Sequence, residues 1–183
     1  MNEVLKAITG RNSCRDFTGK QLTKEQTEAL VEAALASPSA LNLQPWHIIM
    51  CTDKELIDDL DSAGMEIVSA AEDKSTYNRV MERGGKMFYN APSMLVALSD
   101  DSKWTTLDCG ILIENVALAA HSLGLGNVIC GMMGIPLNGS KGDELKKRLK
   151  FPEGYKFCIA ILVGEAKSDK EPHELDKSKV TYV

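Results

Sequence analysis

Two short polar segments carry the side chains whose types and spacing are suited to chemistry, and the longer one spans residues 37–46. It reads Ser-Pro-Ser-Ala-Leu-Asn-Leu-Gln-Pro-Trp. Its two prolines restrict the residues before them to extended geometry, so two rigid points frame Ser39, Asn42 and Gln44. Such a loop could bind a planar ligand with polar edges. The alternative is an ordered connection whose amides satisfy their own backbone, and these ten residues alone favour that alternative.

The second segment, residues 11–15, reads Arg-Asn-Ser-Cys-Arg and follows a short helix predicted for residues 2–8, with Gly10 as its left-handed cap. Guanidinium groups match phosphate oxygens two at a time, and a serine hydroxyl adds a short hydrogen bond. The segment could therefore hold a phosphate group. The alternative is an exposed basic turn that neutralises the carbonyl end of the helix. The motif alone leaves both open.

Capping and hydrophobic patterns predict the elements that position these segments. Residues 23–36 are a predicted helix, because Thr23-Lys-Glu-Gln26 has capping-box spacing and an apolar face follows it; residues 52–55 repeat the spacing before a short helix. Four short apolar runs are typical of buried strands, at residues 46–51, 93–99, 127–133 and 156–163. Since helices alternate with these strands, we expect a mixed sheet flanked by helices.

The longest predicted helix, residues 107–123, is apolar nearly all round and must be covered on most sides. Either a second subunit covers its outer face or the helix is the centre of a monomeric core, and the sequence leaves both open. Residues 62–87, with their paired glycines, are expected to form short helices or a movable cover over a site. Residues 165–183 are a polar, charged arm in which residues 180–183 could add an edge strand.

Composition narrows the class of protein. The chain has 183 residues with 44% apolar and 26% charged content, which predicts one soluble globular domain over residues 1–183. A net charge of -5 without any basic block disfavours nucleic-acid and anionic-membrane partners, and no membrane span or secretory signal is visible. Five cysteines without a C-x-x-C pair predict free thiols in a reducing cytoplasm. Three scattered histidines predict no metal site, and without a nucleophile or dinucleotide motif an enzyme of this sequence would depend on a cofactor.

Read together, the two segments resemble the FMN-dependent nitroreductase family. Its members open with an R-x-S-x-[RK]-x-F run, here residues 11–17, and then carry an [AS]-P-S-x-x-N-x-Q-P-W loop, here residues 37–46. The apolar helix ending in Leu-Gly-Leu-Gly126 and the stretch 151–164 agree with the family as well. The resemblance implies an α+β fold with a central mixed, mostly antiparallel sheet flanked by helices. It also implies an intertwined homodimer with FMN at the interface.

The resemblance assigns a role to each candidate residue. Phosphate binding falls to Arg11 and Ser13 with Asn12 nearby, and Arg15 lies against the pyrimidine edge of the flavin, where a cation stabilises the reduced ring. The other subunit contributes Pro38, Ser39, Ala40, Asn42 and Gln44, with Ala40 in place of the serine of many members. Gly131 and Met132 match the stretch whose backbone donates to flavin N5. Lys177 and Lys179 resemble a C-terminal basic pair at the phosphate, with a solvated tail as the alternative.

The implied activity is hydride transfer from NADH or NADPH through FMN to a small electron-poor acceptor such as a nitroaromatic or a quinone. Both reactants use one slot in turn, and no side chain has to act as acid or base. Relatives with the same flavin residues catalyse dehalogenation, flavin fragmentation or ring dehydrogenation. A non-catalytic FMN carrier is the other alternative.

Overall fold

The computed structural model describes residues 1–168 and 170–183, and its regular elements are helices α1–α7 and strands β1–β4. The first half contains α1 (Glu3–Gly10), α2 (Lys24–Leu35), β1 (Trp46–Cys51), α3 (Lys54–Ala70), α4 (Ser75–Met81) and β2 (Ser93–Ser99). The second half contains α5 (Thr105–Ser122), β3 (Gly126–Ile129), α6 (Gly134–Leu137), α7 (Gly142–Arg148) and β4 (Lys156–Gly164). Within the described residues, none of these helices combines the length and apolar character needed to cross a bilayer.

The four strands form one sheet in the order β1-β2-β4-β3, and all three neighbouring pairs are antiparallel. β2 and β4 are the central strands, and every residue of β2 is buried, as its uninterrupted apolar sequence predicts. An isolated bridge between Ser13 and Asn127 adds a parallel pairing at the β3 edge. The expected α+β fold with a mostly antiparallel sheet and flanking helices is confirmed.

Alternating side chains of the sheet build two cores, one on each face. Val96 and Leu162 point to the face covered by α3, α6 and α7, whereas Leu95 and Ile161 point to the face covered by α2 and α5. The second core is dominated by α5, whose buried side chains include Leu112 and Val116. The long apolar helix is therefore a main packing partner of the sheet.

Local capping signals placed some helix ends correctly and others one residue away. The capping box at α2 is confirmed, with the Gln26 amide donating to Thr23 Oγ1 over 3.2 Å and the Thr23 amide donating to Gln26 Oε1 over 2.9 Å. For α3 the prediction was one residue early, because Asp53 and not Thr52 accepts from the first turn, at 3.1 Å from the Leu56 amide. Asp is a stronger N-cap than Thr.

Three other local predictions were wrong. Gly10 is the last residue of α1 and does not have a positive φ, and Arg11 caps the helix with φ -59° and ψ 132°. The third strand ends at Ile129, four residues earlier than predicted, because residues 131–133 turn into a 3-10 helix. Residues 180–183 are exposed and form no strand.

The stretch 62–87 is more ordered than its sequence indicates. α3 continues to Ala70 and α4 follows, and both helices contribute buried side chains, Val68 and Val80. Met87 is also fully buried. The role of this stretch as a cover stays a prediction, and it now centres on residues 83–86, which lie beside a cleft described below.

Candidate functional site

The loop before β1 is held in a fixed conformation by hydrogen bonds. The Gln44 amide donates to Ser39 Oγ over 2.9 Å, and the Ala40 amide donates to Asp108 Oδ1 over 3.1 Å. The second bond ties the loop to the first turn of α5. The Gln44 Nε2 group also reaches Asn42 Oδ1 at 3.4 Å. Some of the hydrogen-bonding groups of the loop are therefore paired within the loop, as expected for an ordered connection between a helix and a strand.

The same loop has a strained backbone and exposed side chains, which an ordinary connection does not need. Leu41, Asn42 and Gln44 have φ values of 53°, 55° and 47°, in the left-handed region that costs a residue with a side chain about 1 kcal/mol or more. The extended geometry predicted for Gln44 before Pro45 is therefore wrong, and the bond from its amide to Ser39 Oγ closes the turn in which it lies. Leu41 is 90% exposed and Leu43 is 62% exposed. Strain and exposure in one place point to a surface shaped for contact with another molecule.

Residues 11–17, which include the basic segment at 11–15, are fixed along the outer side of β3. The Cys14 amide donates to the Asn127 carbonyl over 2.8 Å, and Phe17 is fully buried. Gly126 permits this close approach, because a Cβ there would lie 2.9 Å from the Cβ of Cys14. The segment is thus a rigid part of the fold.

Three adjoining clefts of about 160, 310 and 580 Å³ run along this segment. Asn12 lines the first cleft and Ser13 the second, while Arg15 lines the second and third; Arg11, the C-terminal cap of α1, lines none of these three. The largest cleft is lined by Arg15, Asp16, Arg83, Gly84, Lys86, Tyr89, Asn90 and Lys167. Asn12, Ser13 and Arg15 therefore lie along one row of clefts, and their role as FMN ligands stays a prediction.

The largest cleft is positively charged. Among the described residues, its ion pairs join Lys167 to Asp16 at 3.0 Å and Lys86 to Asp58 at 3.6 Å. Arg15 and Arg83 take part in neither pair. The Arg15 guanidinium reaches the Ser13 carbonyl at 3.5 Å, a weak contact. Arg15 and Arg83 can therefore turn toward an anionic ligand without breaking an ion pair described here. No group of three or more metal-ligating side chains occurs in residues 1–168 or 170–183.

Gly131 and Met132 lie in the 3-10 turn that follows β3. Gly131 is exposed, its φ is not positive, and a Cβ there would meet only the Cδ1 atom of Ile159, at an ordinary 3.9 Å. Nothing among the described residues requires glycine at this position, and its backbone is open to the surface. Burial raises the pKa of the neighbouring Cys130 thiol to about 11, so that thiol stays protonated at neutral pH.

Lys177 and Lys179 form a short 3-10 turn in the exposed arm, capped by Asp176, whose Oδ1 accepts from the Ser178 amide at 3.0 Å. Lys179 is 4.0 Å from Asp176 and remains largely exposed. The described hydrogen bonds of this turn are local, and a phosphate-binding role for the two lysines stays a prediction.

The two predicted halves of the site lie at opposite edges of the sheet. The basic segment runs beside β3, and the 38–44 loop leads into β1, with β2 and β4 between them. Three strand spacings separate these edges, or roughly 14 Å. Within one chain, the two halves therefore lie at different edges of the sheet.

Sequence reasoning missed two residues of the site. Asp108 is 3% exposed and anchors the loop through Ala40, although it is 68 residues away in the sequence. Arg83 lines two of the three clefts. Asp108 is one of two acids on a mostly apolar helix, and no sequence motif distinguishes it from Glu114. Arg83 lies beside the Gly-Gly pair without any motif.

The fold and site define a nitroreductase-like α+β protein with a basic cleft at one sheet edge and an amide-rich loop at the other. The family model of the nitroreductase family matches residues 8–165. The chain belongs to this family, and the resemblance stated from the sequence is confirmed.

Known proteins similar to the chain agree with this assignment. A crystal structure of a nitroreductase with bound FMN from Desulfitobacterium hafniense DCB-2 is 45% identical, with a TM-score of 0.96 and coverage of 100% of this chain and 99% of that one. An Archaeoglobus fulgidus protein with the provisional name NADH dehydrogenase/NAD(P)H nitroreductase is 30% identical over 96% of this chain and 92% of its own. The Bacillus subtilis FMN reductase [NAD(P)H] is 28% identical over 100% of this chain and 76% of its own.

Proposed function

We propose that this chain binds FMN and is an NAD(P)H-dependent oxidoreductase of small electron-poor acceptors such as nitroaromatics or quinones. The observation that carries the proposal is the row of clefts along residues 12–16, which ends in a cavity with two arginines outside the described ion pairs. FMN has an anionic phosphate at one end and a ring that becomes anionic on reduction at the other. The names of the Bacillus subtilis and Desulfitobacterium hafniense relatives support this cofactor.

The residues present fit this cofactor. Arg11 and Ser13 would hold the phosphate, with Asn12 beside them, and Arg15 would lie at the ring. The parallel bridge between Ser13 and Asn127 places Arg15 toward the end of β3, after which Gly131 follows. This order along β3 supports a phosphate-to-ring direction from residue 11 to residue 15.

Bound FMN supplies hydride acceptance and donation at its N5 atom, which no side chain of the site can provide. The chain contributes binding, orientation and charge. Arg15 is the cation that offsets negative charge on the ring, and open space at Gly131 lets backbone donors come close to a ligand. The exposed Trp104, with Lys103 Nζ 4.8 Å from its ring centroid, is available at the surface for an aromatic acceptor.

We further propose that the working form is a homodimer in which the 38–44 loop completes the site of the partner subunit. Besides the exposed leucines of the loop, Leu107 of α5 is 61% exposed and Ile111, one turn further, is also exposed. Val4 and Ile8 add exposed apolar surface on α1, which contacts α5. A second subunit would cover this surface and bring each loop to the opposite basic segment. The five free thiols fit a reducing cytoplasm.

The proposed function is tested by the visible spectrum of the purified protein, an acceptor screen with NADH and NADPH, and two arginine variants. We expect bound FMN, steady oxidation of the nicotinamide with a quinone, loss of FMN in Arg11→Ala, and a reduced rate with retained FMN in Arg15→Ala. Arg79→Ala, on the exposed face of α4, is the matched control. A colourless protein that ignores added FMN would refute the proposal.

The acceptor screen also separates the alternatives. Flavin that is reduced but passes its electrons to none of the acceptors would favour a carrier. Turnover only with halogenated or ring-hydrogenated substrates would favour a dehalogenase or a ring dehydrogenase.

A further inference from the structure

Two of the five thiols are neighbours at the start of α5. Cys109, in the first turns of α5, is fully buried, and Cys158, on β4, is partly buried and packs against the same core. The Cys109 thiol donates to the Leu98 carbonyl at 3.8 Å, and Leu98 pairs with Phe157, the residue before Cys158. Each of the two thiols affects the pKa of the other, and Thr106, almost one helical turn before Cys109, also affects that of Cys158.

A β-bulge lies at Cys158. The pairing of β2 with β4 joins Ala97 to Ile159 and Leu98 to Phe157, so Cys158 is an extra residue without a partner on β2. Phe157 packs in the core on the α3 face, whereas Cys158 and Ile159 both pack in the core on the α5 face. The extra residue interrupts the alternation of side chains along β4, so that two successive residues face α5. It also leaves Cys158 next to the strand pair of Leu98, whose carbonyl accepts from the Cys109 thiol at 3.8 Å, and this places the two thiols close together.

The surroundings make Cys158 the more acidic of the two. Hydrogen bonds from Cys109 and Thr106 lower the pKa of Cys158 to about 7, against the opposing effect of its burial. The pKa of Cys109 is raised, first by its hydrogen bond to Cys158 and then by burial. Burial also raises the pKa of Cys14 and of Cys51. A thiolate is the reactive form of cysteine, so Cys158 is set apart from these other thiols.

We propose that Cys109 and Cys158 form a reversible, redox-sensing pair that closes to an intramolecular disulfide in the presence of hydrogen peroxide. The proposal stands on three observations: the bulge at Cys158 beside the strand pair of Leu98, the bond from the Cys109 thiol to the Leu98 carbonyl at 3.8 Å, and the partial exposure of Cys158 next to a fully buried Cys109.

The chemistry balances in two steps. The Cys158 thiolate attacks one peroxide oxygen, the O–O bond breaks, and the hydroxide that leaves takes the proton of the Cys109 thiol to become water. The Cys109 thiolate then attacks the sulfur of the Cys158 sulfenic acid; an S–S bond forms, the S–O bond breaks, and the second hydroxide takes the proton that Cys158 released on ionisation. Two thiols lose two electrons and two protons in total, and one peroxide becomes two waters.

The pair is placed to affect the loop, because Cys109 follows Asp108, whose carboxylate holds the Ala40 amide at 3.1 Å. A disulfide would fix Cys109 to β4 and shift the first turn of α5, and this shift would weaken the anchor of the 38–44 loop. We therefore expect the oxidised protein to bind FMN several-fold more weakly. This consequence rests on the proposed function, whereas the disulfide itself does not.

The test is peroxide oxidation of the full-length reduced protein, followed by alkylation under denaturing conditions and mass mapping. We expect the loss of two of the five alkylatable thiols, a cross-link between Cys109 and Cys158, and recovery with dithiothreitol. Cys109→Ser should trap a dimedone-reactive sulfenic acid on Cys158. Cys51→Ser is the control that keeps the cross-link.

Three results would overturn the redox pair: five alkylatable thiols after oxidation, a cross-link between other cysteines, or over-oxidation of Cys158 without a cross-link. If Cys109→Ser fails to fold, Cys158→Ser, at a partly exposed position, decides the question, since all four remaining thiols should then stay alkylatable. A correct cross-link with unchanged FMN affinity would overturn the link to the loop. The mass mapping of the disulfide needs no bound FMN, so its result does not depend on whether the proposed function is correct.

Discussion

Replacement of Asp108 should release the 38–44 loop and weaken FMN binding while the fold is retained. One oxygen of this buried carboxylate accepts the Ala40 amide at 3.1 Å, and the other has no partner among the described residues. Asp108→Ala removes the anchor of the loop. Asp108→Asn keeps an acceptor oxygen for the same amide and removes the buried charge.

The magnitude follows from the bond and from the strain that it opposes. A hydrogen bond to a charged acceptor contributes about 1.5–3 kcal/mol. Leu41, Asn42 and Gln44 have left-handed backbones that each cost about 1 kcal/mol or more, so the loop has a reason to relax once the bond is gone. Since about 1.4 kcal/mol is tenfold in affinity, Asp108→Ala should raise the Kd for FMN about ten- to a hundredfold. Asp108→Asn should raise it by about two- to thirtyfold, because a neutral hydrogen bond still contributes about 1 kcal/mol and only about 0.5–2 kcal/mol is lost.

The assay is titration of FMN into apoprotein followed by flavin fluorescence, with the melting temperature measured on the same samples. Asp143→Ala is the matched control, since Asp143 is also an aspartate in the first turn of a helix but is exposed. The reasoning would be refuted by Asp108→Ala with a Kd within twofold of the native protein, or by Asp108→Asn with the larger loss. Asp108→Asn should keep or raise the melting temperature, because it removes a carboxylate oxygen that is buried without a partner.

Three other predictions follow from single contacts. Gly131→Ala should leave the melting temperature unchanged, because its Cβ would meet only Ile159 at 3.9 Å, yet lower FMN affinity; unchanged affinity by the same titration would contradict a backbone approach to the ligand. Leu107→Glu, at a largely exposed position, should yield monomers in sedimentation velocity without unfolding the chain, and an unchanged oligomeric state would place the interface elsewhere. Burial raises the pKa of Asp61, so native stability falls as pH rises through that pKa. Asp61→Asn, which still accepts the Phe88 amide, should abolish that fall in urea titrations across acidic to neutral pH, and a fall of native size in the variant would point to another group.

Local signals predicted much of the fold, because the interactions behind them are close in sequence. The capping box of α2 joins Thr23 to Gln26, three residues apart, and both of its bonds form as expected. The four apolar runs became the four strands because buried strands need continuous apolar sequence. The left-handed Gly124, with a φ of 72°, ends α5 where a glycine after the last apolar residue predicts it.

Features that depend on distant contacts could not be predicted in the same way. Nothing in the sequence distinguishes Asp61 from the other charged residues of α3. In the structure it accepts the Phe88 amide at 2.6 Å and so fixes the chain at the end of the stretch 62–87. The bulge at Cys158 depends on the register in which β4 pairs with β2, and the sequence of one strand does not determine which strand it pairs with. Of the candidate site, the segment 11–15 and the loop 38–44 are visible in the sequence because each is contiguous. Arg83 and Asp108 are not, because only folding brings them next to these segments.

The loop shows why the polar and apolar residues of its sequence alternate. Residues 41–44 read Leu-Asn-Leu-Gln, and both leucines are exposed. The loop therefore presents alternating apolar and amide side chains on one strained turn. In the proposed dimer, the leucines are covered by the partner and the amides face its cofactor. The bonds from Ser39 and Asp108 set the shape of the loop within one chain, before any partner arrives. Dimerisation then does not carry the entropic cost of ordering the loop. Because the loop of one subunit completes the site of the other, a subunit that cannot dimerise should also lose its cofactor.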